Sequence, residues 1–155
     1  MKRHLDDPEA TRSLASELLV QLPDDVGGWT LLLEGDLGAG KSTFARALIQ
    51  AMGHRGAVPS PTYTLVEPYD LDGGIVYHVD LYRVSDEEEL RYLGWAELED
   101  GLRLVEWPDR APGLAAAADL RIHLRYSGAG RDVEILGLSE RGQALVASWD
   151  GKHKT

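Results

Sequence analysis

Trp29-Thr30-Leu31-Leu32-Leu33-Glu34-Gly35-Asp36-Leu37-Gly38-Ala39-Gly40-Lys41-Ser42 decides how the rest of the chain is read. The first half is a short apolar run set off by glycines, the pattern of a central strand buried on both faces. The second half, Gly35 to Ser42, fits G-x-x-x-x-G-K-[ST]. Its glycines let the backbone curl so that successive N–H groups point at phosphate oxygens. Ser42 to Met52 has helical character and stops at Gly53, so the positive end of a helix faces the same point. The Lys41 ammonium has the reach for outer phosphates, and the Ser42 hydroxyl is a Mg²⁺ ligand type. A match that follows an apolar strand and opens a helix seldom arises by accident, so the stretch implies nucleotide binding. The chain has no asparagine and hence no Asn-Lys-x-Asp-like reader of guanine, which favours adenine or a loosely read base.

Before this stretch, Asp7-Pro8-Glu9-Ala10 is a helix start: Asp7 caps, Pro8 suits the first turn and Glu9 complements the dipole. Leu14, Leu18, Leu19 and Leu22 then recur at helical spacing up to a close at Pro23–Gly28. After it, residues 54–62 form a loop, Tyr63–Tyr69 a strand broken by Pro68, Asp70–Gly74 a turn, and Ile75–Leu81 a strong strand. Ser85–Leu93 is expected to be a helix opening on the acidic run 86–89. Leu102–Glu106 is a third apolar strand, stopped by Trp107-Pro108. Residues 119–126 and 131–138 alternate across Ser127–Gly130 and predict a hairpin. Ser139–Trp149 closes the chain as a helix, with a frayed basic tail from about residue 150. The expected architecture is a three-layer α/β domain of P-loop NTPase type. Its sheet is mixed but mainly parallel and ends in a C-terminal antiparallel hairpin.

The 155 residues fit one domain, and their formal net charge of −10 argues against unaided electrostatic capture of nucleic acid. With no cysteine, disulfides, thiolate zinc sites and thiol nucleophiles are excluded, and a reduced cytoplasmic setting fits. No run approaches the roughly 20 apolar residues of a membrane span, and the polar start Met1–Asp7 does not resemble a signal peptide.

A Mg²⁺ ion bridging phosphates calls for a carboxylate at the end of a neighbouring strand. Asp80 and Glu106 both qualify, and spacing does not divide their duties. The loop Pro59-Ser60-Pro61-Thr62-Tyr63-Thr64 lies where many phosphate-loop enzymes hold a switch segment. Thr62 is the candidate sensor of the terminal phosphate; a proline-stiffened surface turn explains the segment equally well.

Four segments together resemble one family: G-D-L-G-A-G-K-S-T (35–43), S-P-T-Y-T-L-V-E-P-Y (60–69), H-V-D-L-Y-R (78–83) and V-E-W-P-D-R (105–110). In this order they are similar to the TsaE (formerly YjeE) family of bacterial tRNA threonylcarbamoyladenosine biosynthesis, over about Thr11 to Asp132. The resemblance implies a P-loop ATPase with ATP and Mg²⁺ as cofactors and weak turnover alone. Its partners would be the threonylcarbamoyl transferase subunit and that subunit's dimeric partner, with tRNA met only through the complex. It further implies nucleotide binding by Asp36, Leu37, Gly38, Ala39, Gly40, Lys41, Ser42 and Thr43, with Ser42 and Glu106 at the metal. Asp80 would stand near the γ-phosphate, and Trp107 matches a functional tryptophan. Ser42-Thr43 replaces the Thr-Thr of many members and keeps the needed oxygen. Thr11 aligns with a position near the base and Arg131 with a hairpin position that contacts nucleotide; a helix-surface residue and an exposed turn arginine are the plain alternatives.

The five histidines show no metal-ligand spacing, and His78, within a strand, reads as a packed or partnered ring. There is no G-x-S-x-G support for serine hydrolysis. Trp95 suits either core packing or a partner anchor. Two rivals to a regulatory ATPase are a small-molecule kinase and a nucleotide sensor without turnover. Residues 86–101 carry only Arg91, which counts against a kinase lid of clamping arginines.

Overall fold

The computed structural model describes residues 1–153. Its elements are β1 (Lys2–Leu5), α1 (Pro8–Gln21), β2 (Thr30–Glu34), α2 (Lys41–Ala51), β3 (Val66–Leu71), β4 (Gly74–Asp80), β5 (Leu102–Glu106), β6 (Leu120–Ser127), β7 (Gly130–Gly137) and α3 (Glu140–His153). Seven strands form one sheet in the order β1-β7-β6-β2-β5-β4-β3. The four central strands, β6, β2, β5 and β4, run parallel; β7, β1 and β3 attach antiparallel at the flanks.

The leucine triplet of β2 divides the interior. A strand sends alternate side chains to opposite faces. Leu31 and Leu33 accordingly join the cluster holding Leu14 and Leu18 of α1, Phe44 and Leu48 of α2, and Trp149 of α3. Leu32 joins the other cluster, with Val79, Val105, Leu90 and Leu114. Three α-helices therefore cover one face, and four short 3-10 turns between residues 87 and 117 cover the other. Full burial of each leucine is worth about 1.5–3 kcal/mol, so both layers hold β2 in place.

Local chemistry sets the element boundaries. Asp7 caps α1 by accepting the Ala10 N–H at 2.8 Å, with Pro8 in the first turn. Asp119, just before β6, is 3% exposed and ties three elements together. It accepts the Thr30 N–H at 3.0 Å, the Ser139 hydroxyl at 2.7 Å and the Arg141 Nε–H at 2.8 Å. Burial alone would raise the Asp119 carboxyl. The bonds from Arg141, Ser139 and Thr30 outweigh it and hold the pKa below its ordinary value.

Four boundaries depart from the sequence expectation. β1 is an additional edge strand, paired antiparallel from Lys2↔Glu134 to Leu5↔Arg131. β3 begins only at Val66, because Leu65 turns with φ +70°. It runs through Pro68 unbroken, since an edge strand tolerates a residue without an N–H. Ser85–Leu93 is not an α-helix: Asp86 caps a 3-10 turn at Glu87–Arg91 by accepting the Glu88 N–H at 3.0 Å. Gly94, at φ +71°, then starts a second turn at Trp95–Asp100. Finally, α3 continues past residue 150 to His153 instead of fraying there; the last two residues of the expected tail lie outside the described residues.

Candidate functional site

β2 ends at Glu34, and Gly35–Gly40 wraps from its carboxyl end to the start of α2. Gly35, Gly38 and Gly40 have φ of +147°, +81° and +112°, which side-chain-bearing residues rarely adopt. A Cβ on Gly35 would lie 2.5 Å from the Leu124 carbonyl oxygen, so close packing on β6 also requires glycine there. Gly40 is the N-cap of α2, no side chain among the described residues caps that end, and the first turn borders the cavity beyond.

That cavity, about 300 Å³, is lined by Gly38, Gly40, Lys41, Ser42 and Thr43 on one side. Ser60, Thr62, Asp80, Tyr82, Glu106 and Trp107 face them from the other. Parallel register brings the two acids together, since Asp80 of β4 lies opposite Glu106 of β5. Both are buried, at 3% and 2% exposure. Glu106 Oε1 accepts from Ser42 Oγ at 2.9 Å. Asp80 Oδ2 accepts from Thr62 Oγ1 at 3.0 Å and Oδ1 from the Tyr82 N–H at 2.8 Å. The Ser60 and Thr62 hydroxyls are hydrogen-bonded at 2.8 Å.

The Lys41 side chain folds back on its own loop. Its Nζ donates to the carbonyls of Gly35 and of Asp36, the latter at 3.0 Å, and lies 4.0 Å from the centre of the Trp107 ring. Burial pushes the ammonium's pKa below its ordinary value, opposed by Glu106, Asp36, Asp80 and Asp109. Trp107 holds a left-handed backbone, φ +59°, and leans on the Tyr82 ring at 5.0 Å. A non-glycine residue in that conformation stores strain, a feature concentrated at functional sites.

The remaining sequence-predicted residues lie along the phosphate loop's other flank. Thr11 is not a surface residue: it is 5% exposed and lines a second cavity with Asp7, Pro8, Gly130 and Arg131. Gly38, Gly40 and Thr43 border both cavities, which places Thr11 and Arg131 on a continuous path from Lys41 and Ser42. Arg131 binds the loop itself, donating from Nε to the Ala39 carbonyl at 3.2 Å and from Nη2 to that of Gly38 at 3.3 Å. Within the loop, the Ala39 side chain is wholly buried in the core, while Leu37 is exposed and Asp36 lines a third cavity beside Trp107.

Sequence reasoning assigned no role to Tyr82, Ser60 or Tyr126. Tyr126 donates from its hydroxyl to the Leu37 carbonyl at 3.0 Å. Ser60 and Tyr82 lay inside the quoted segments; Tyr126 carried no signal, because hairpin register alone brings it to the loop. Among the described residues no group of three or more His, Cys, Asp or Glu side chains converges to hold a metal. No helix among them is long and apolar enough to cross a membrane.

Parallel β2 leading through a glycine loop into α2, with acids at the ends of two neighbouring strands, defines a P-loop-type α/β protein. The crystal structure of Bacillus subtilis YdiB superposes with a TM-score of 0.75 at 25% identity, covering 100% of this chain and 96% of that one. The chain belongs to the TsaE family: the profile of "Threonylcarbamoyl adenosine biosynthesis protein TsaE" matches residues 5–133. The tRNA threonylcarbamoyladenosine biosynthesis protein TsaE of Haemophilus influenzae is 40% identical over 119 residues, 76% of this chain and 75% of that protein. The Bacillus subtilis protein of the same name is 41% identical over 142 residues, 90% of this chain and 87% of that protein.

Proposed function

We propose that this protein binds and hydrolyses ATP as a subunit required for threonylcarbamoyladenosine modification of tRNA. It acts with the threonylcarbamoyl transferase and that enzyme's dimeric partner, in the cytoplasm, and does not carry out the transfer itself. One observation carries the reading: the Lys41–Ser42 end of the phosphate loop and the Asp80–Glu106 pair face each other across one cavity. A loop that only sensed nucleotide would not require two buried acids and a threonine opposite it.

The loop N–H groups and Lys41 take the phosphates, and Lys41 must leave the Gly35 and Asp36 carbonyls to do so. Thr11 and Arg131 bound the base-side cavity. Ser42 Oγ and the Glu106 carboxylate form an oxygen-only pair, the ligand chemistry that a hard cation such as Mg²⁺ would take. Mg²⁺ held by Ser42 and Glu106 would neutralise phosphate charge. Asp80, with Thr62 on one oxygen, is positioned to orient the attacking water, and Thr62 to sense the terminal phosphate. Glu87–Asp100 supports this reading over a kinase, because Leu90 and Leu98 pack these turns onto the sheet face away from the α-helices.

The test is ATP hydrolysis by the purified protein, alone and with the transferase pair, with Lys41→Ala as control. Strong stimulation that disappears in the variant is expected. No stimulation, with complex formation verified, would refute a partner-activated ATPase.

A further inference from the structure

One side chain next to the site belongs to neither cavity wall. His78 of β4 is 1% exposed and does not line the first cavity. Its Nε2 lies 2.6 Å from Glu106 Oε2, and a carboxylate can only accept, so the ring donates. The contact follows from pleat and register. His78 and Asp80 share one face of β4, and Leu104 and Glu106 share the corresponding face of β5. Asp80 is directly opposite Glu106, whereas His78 pairs with Leu104 and reaches Glu106 diagonally from the interior side.

The two oxygens of Glu106 are thereby given different duties. Oε2 is held by His78 inside the protein, and Oε1 meets the Ser42 hydroxyl at the cavity wall. Without the ring, a 2%-exposed carboxylate would keep one oxygen unpaired in the interior and would rotate to seek a partner. The other ring nitrogen, Nδ1, is buried with no hydrogen-bond partner among the described residues, so the contact with Glu106 is the polar bond that fixes the ring. We propose that His78 is a positioning residue: through Glu106 it fixes which carboxylate oxygen faces Ser42 and so sets the coupling between nucleotide and divalent cation. This inference rests on the ATP–Mg²⁺ reading above. It extends that reading to a residue outside the binding surface.

The experiment measures the Kd of a fluorescent, non-hydrolysable ATP analogue for the full chain in EDTA and in excess Mg²⁺. The ratio of the two is the metal coupling. His78→Phe keeps a ring but removes the donor; His78→Gln restores an amide N–H at similar reach. Disturbing a partner behind a metal ligand commonly costs about 10- to 100-fold in metal affinity. His78→Phe is therefore expected to lower the coupling at least tenfold through loss of the Mg²⁺-dependent part, and His78→Gln to return to within threefold of wild type. If thermal melts show that His78→Phe does not fold, His78→Asn, whose amide falls one methylene short, carries the same expectation. Wild-type coupling in the folded His78→Phe or, failing that, His78→Asn variant overturns the proposal, as does an equal loss with and without Mg²⁺. A wild-type protein whose analogue binding ignores Mg²⁺ overturns the metal reading itself, and the role of His78 with it.

Discussion

Replacing Lys41 by alanine separates the stability of the fold from the capture of phosphate. In the protein alone, Nζ is hydrogen-bonded to two carbonyls and stacked on Trp107. In the proposed ATP complex, those carbonyl bonds would be exchanged for phosphate bonds of similar kind, so hydrogen bonding would nearly cancel. What remains is charge. An ammonium about 4 Å from one phosphate charge gains about 4 kcal/mol at an effective dielectric of about 20. Part of this is already supplied in the free protein by Glu106, Asp36, Asp80 and Asp109, all of which favour the charged lysine. A net loss of about 2–4 kcal/mol in Lys41→Ala follows, or roughly 30- to 1,000-fold in the Kd for ATP. The fold should barely respond. Burial has lowered the lysine's pKa, so folding disfavours its charged form, and removing the charge forfeits no net electrostatic stabilisation. The assay is titration with a fluorescent ATP analogue beside urea unfolding. A folded variant whose affinity stays within threefold of wild type would refute the reasoning, and so would one that loses affinity only by unfolding.

Gly40→Ala should cost about 1–3 kcal/mol, from backbone conformation alone. Its φ is +112° and no atom lies within 4 Å of an added Cβ, so thermal unfolding unchanged from wild type would mean that the left-handed turn is not held. Asp119→Asn should lose about 1–3 kcal/mol in urea unfolding at neutral pH. Because the folded carboxyl has a lowered pKa, its contribution is present above the unfolded value of about 3.9 and disappears as pH falls through the folded value. The gap to wild type should therefore narrow on acidification, and a pH-independent gap would contradict the assignment. Thr62→Val removes the hydroxyl on Asp80 and should slow partner-stimulated hydrolysis about tenfold or more, while ADP affinity stays within threefold; equal losses in both would make Thr62 a binding residue only.

What could be read from the chain alone was what local chemistry dictates. The capped start of α1, the buried β2 and the glycine turn into α2 each follow from residues within a few positions of one another, and the structure reproduces them. The 60–69, 78–83 and 105–110 segments gave the chemistry of the cavity without its geometry. That Asp80 and Glu106 stand side by side is a matter of inter-strand register, which no single segment encodes. β1 was invisible because Lys2-Arg3-His4-Leu5 has a single fully buried side chain, and its strand character comes from β7. The Ser85–Leu93 stretch misled through its acidic start. Of its five 3-10 residues, Glu87–Arg91, only Leu90 is buried, too little apolar contact to stabilise an α-helix. Arg131 could be read as a hairpin residue, but its bonds to the Gly38 and Ala39 carbonyls depend on that hairpin folding back over the loop.

The alternation along β2 also limits where homologous chains can differ in length. Adding or deleting one residue between Trp29 and Gly35 would exchange Leu31 and Leu33 with Leu32 between two filled clusters and invert the face on which the loop emerges. No such phase exists at the Gly53–Gly56 connection or at the Gly128 tip, where an added Cβ would meet nothing within 4 Å. Insertions and deletions accumulated during divergence should therefore collect at those two places, and the count of residues from Trp29 to Ser42 should stay fixed.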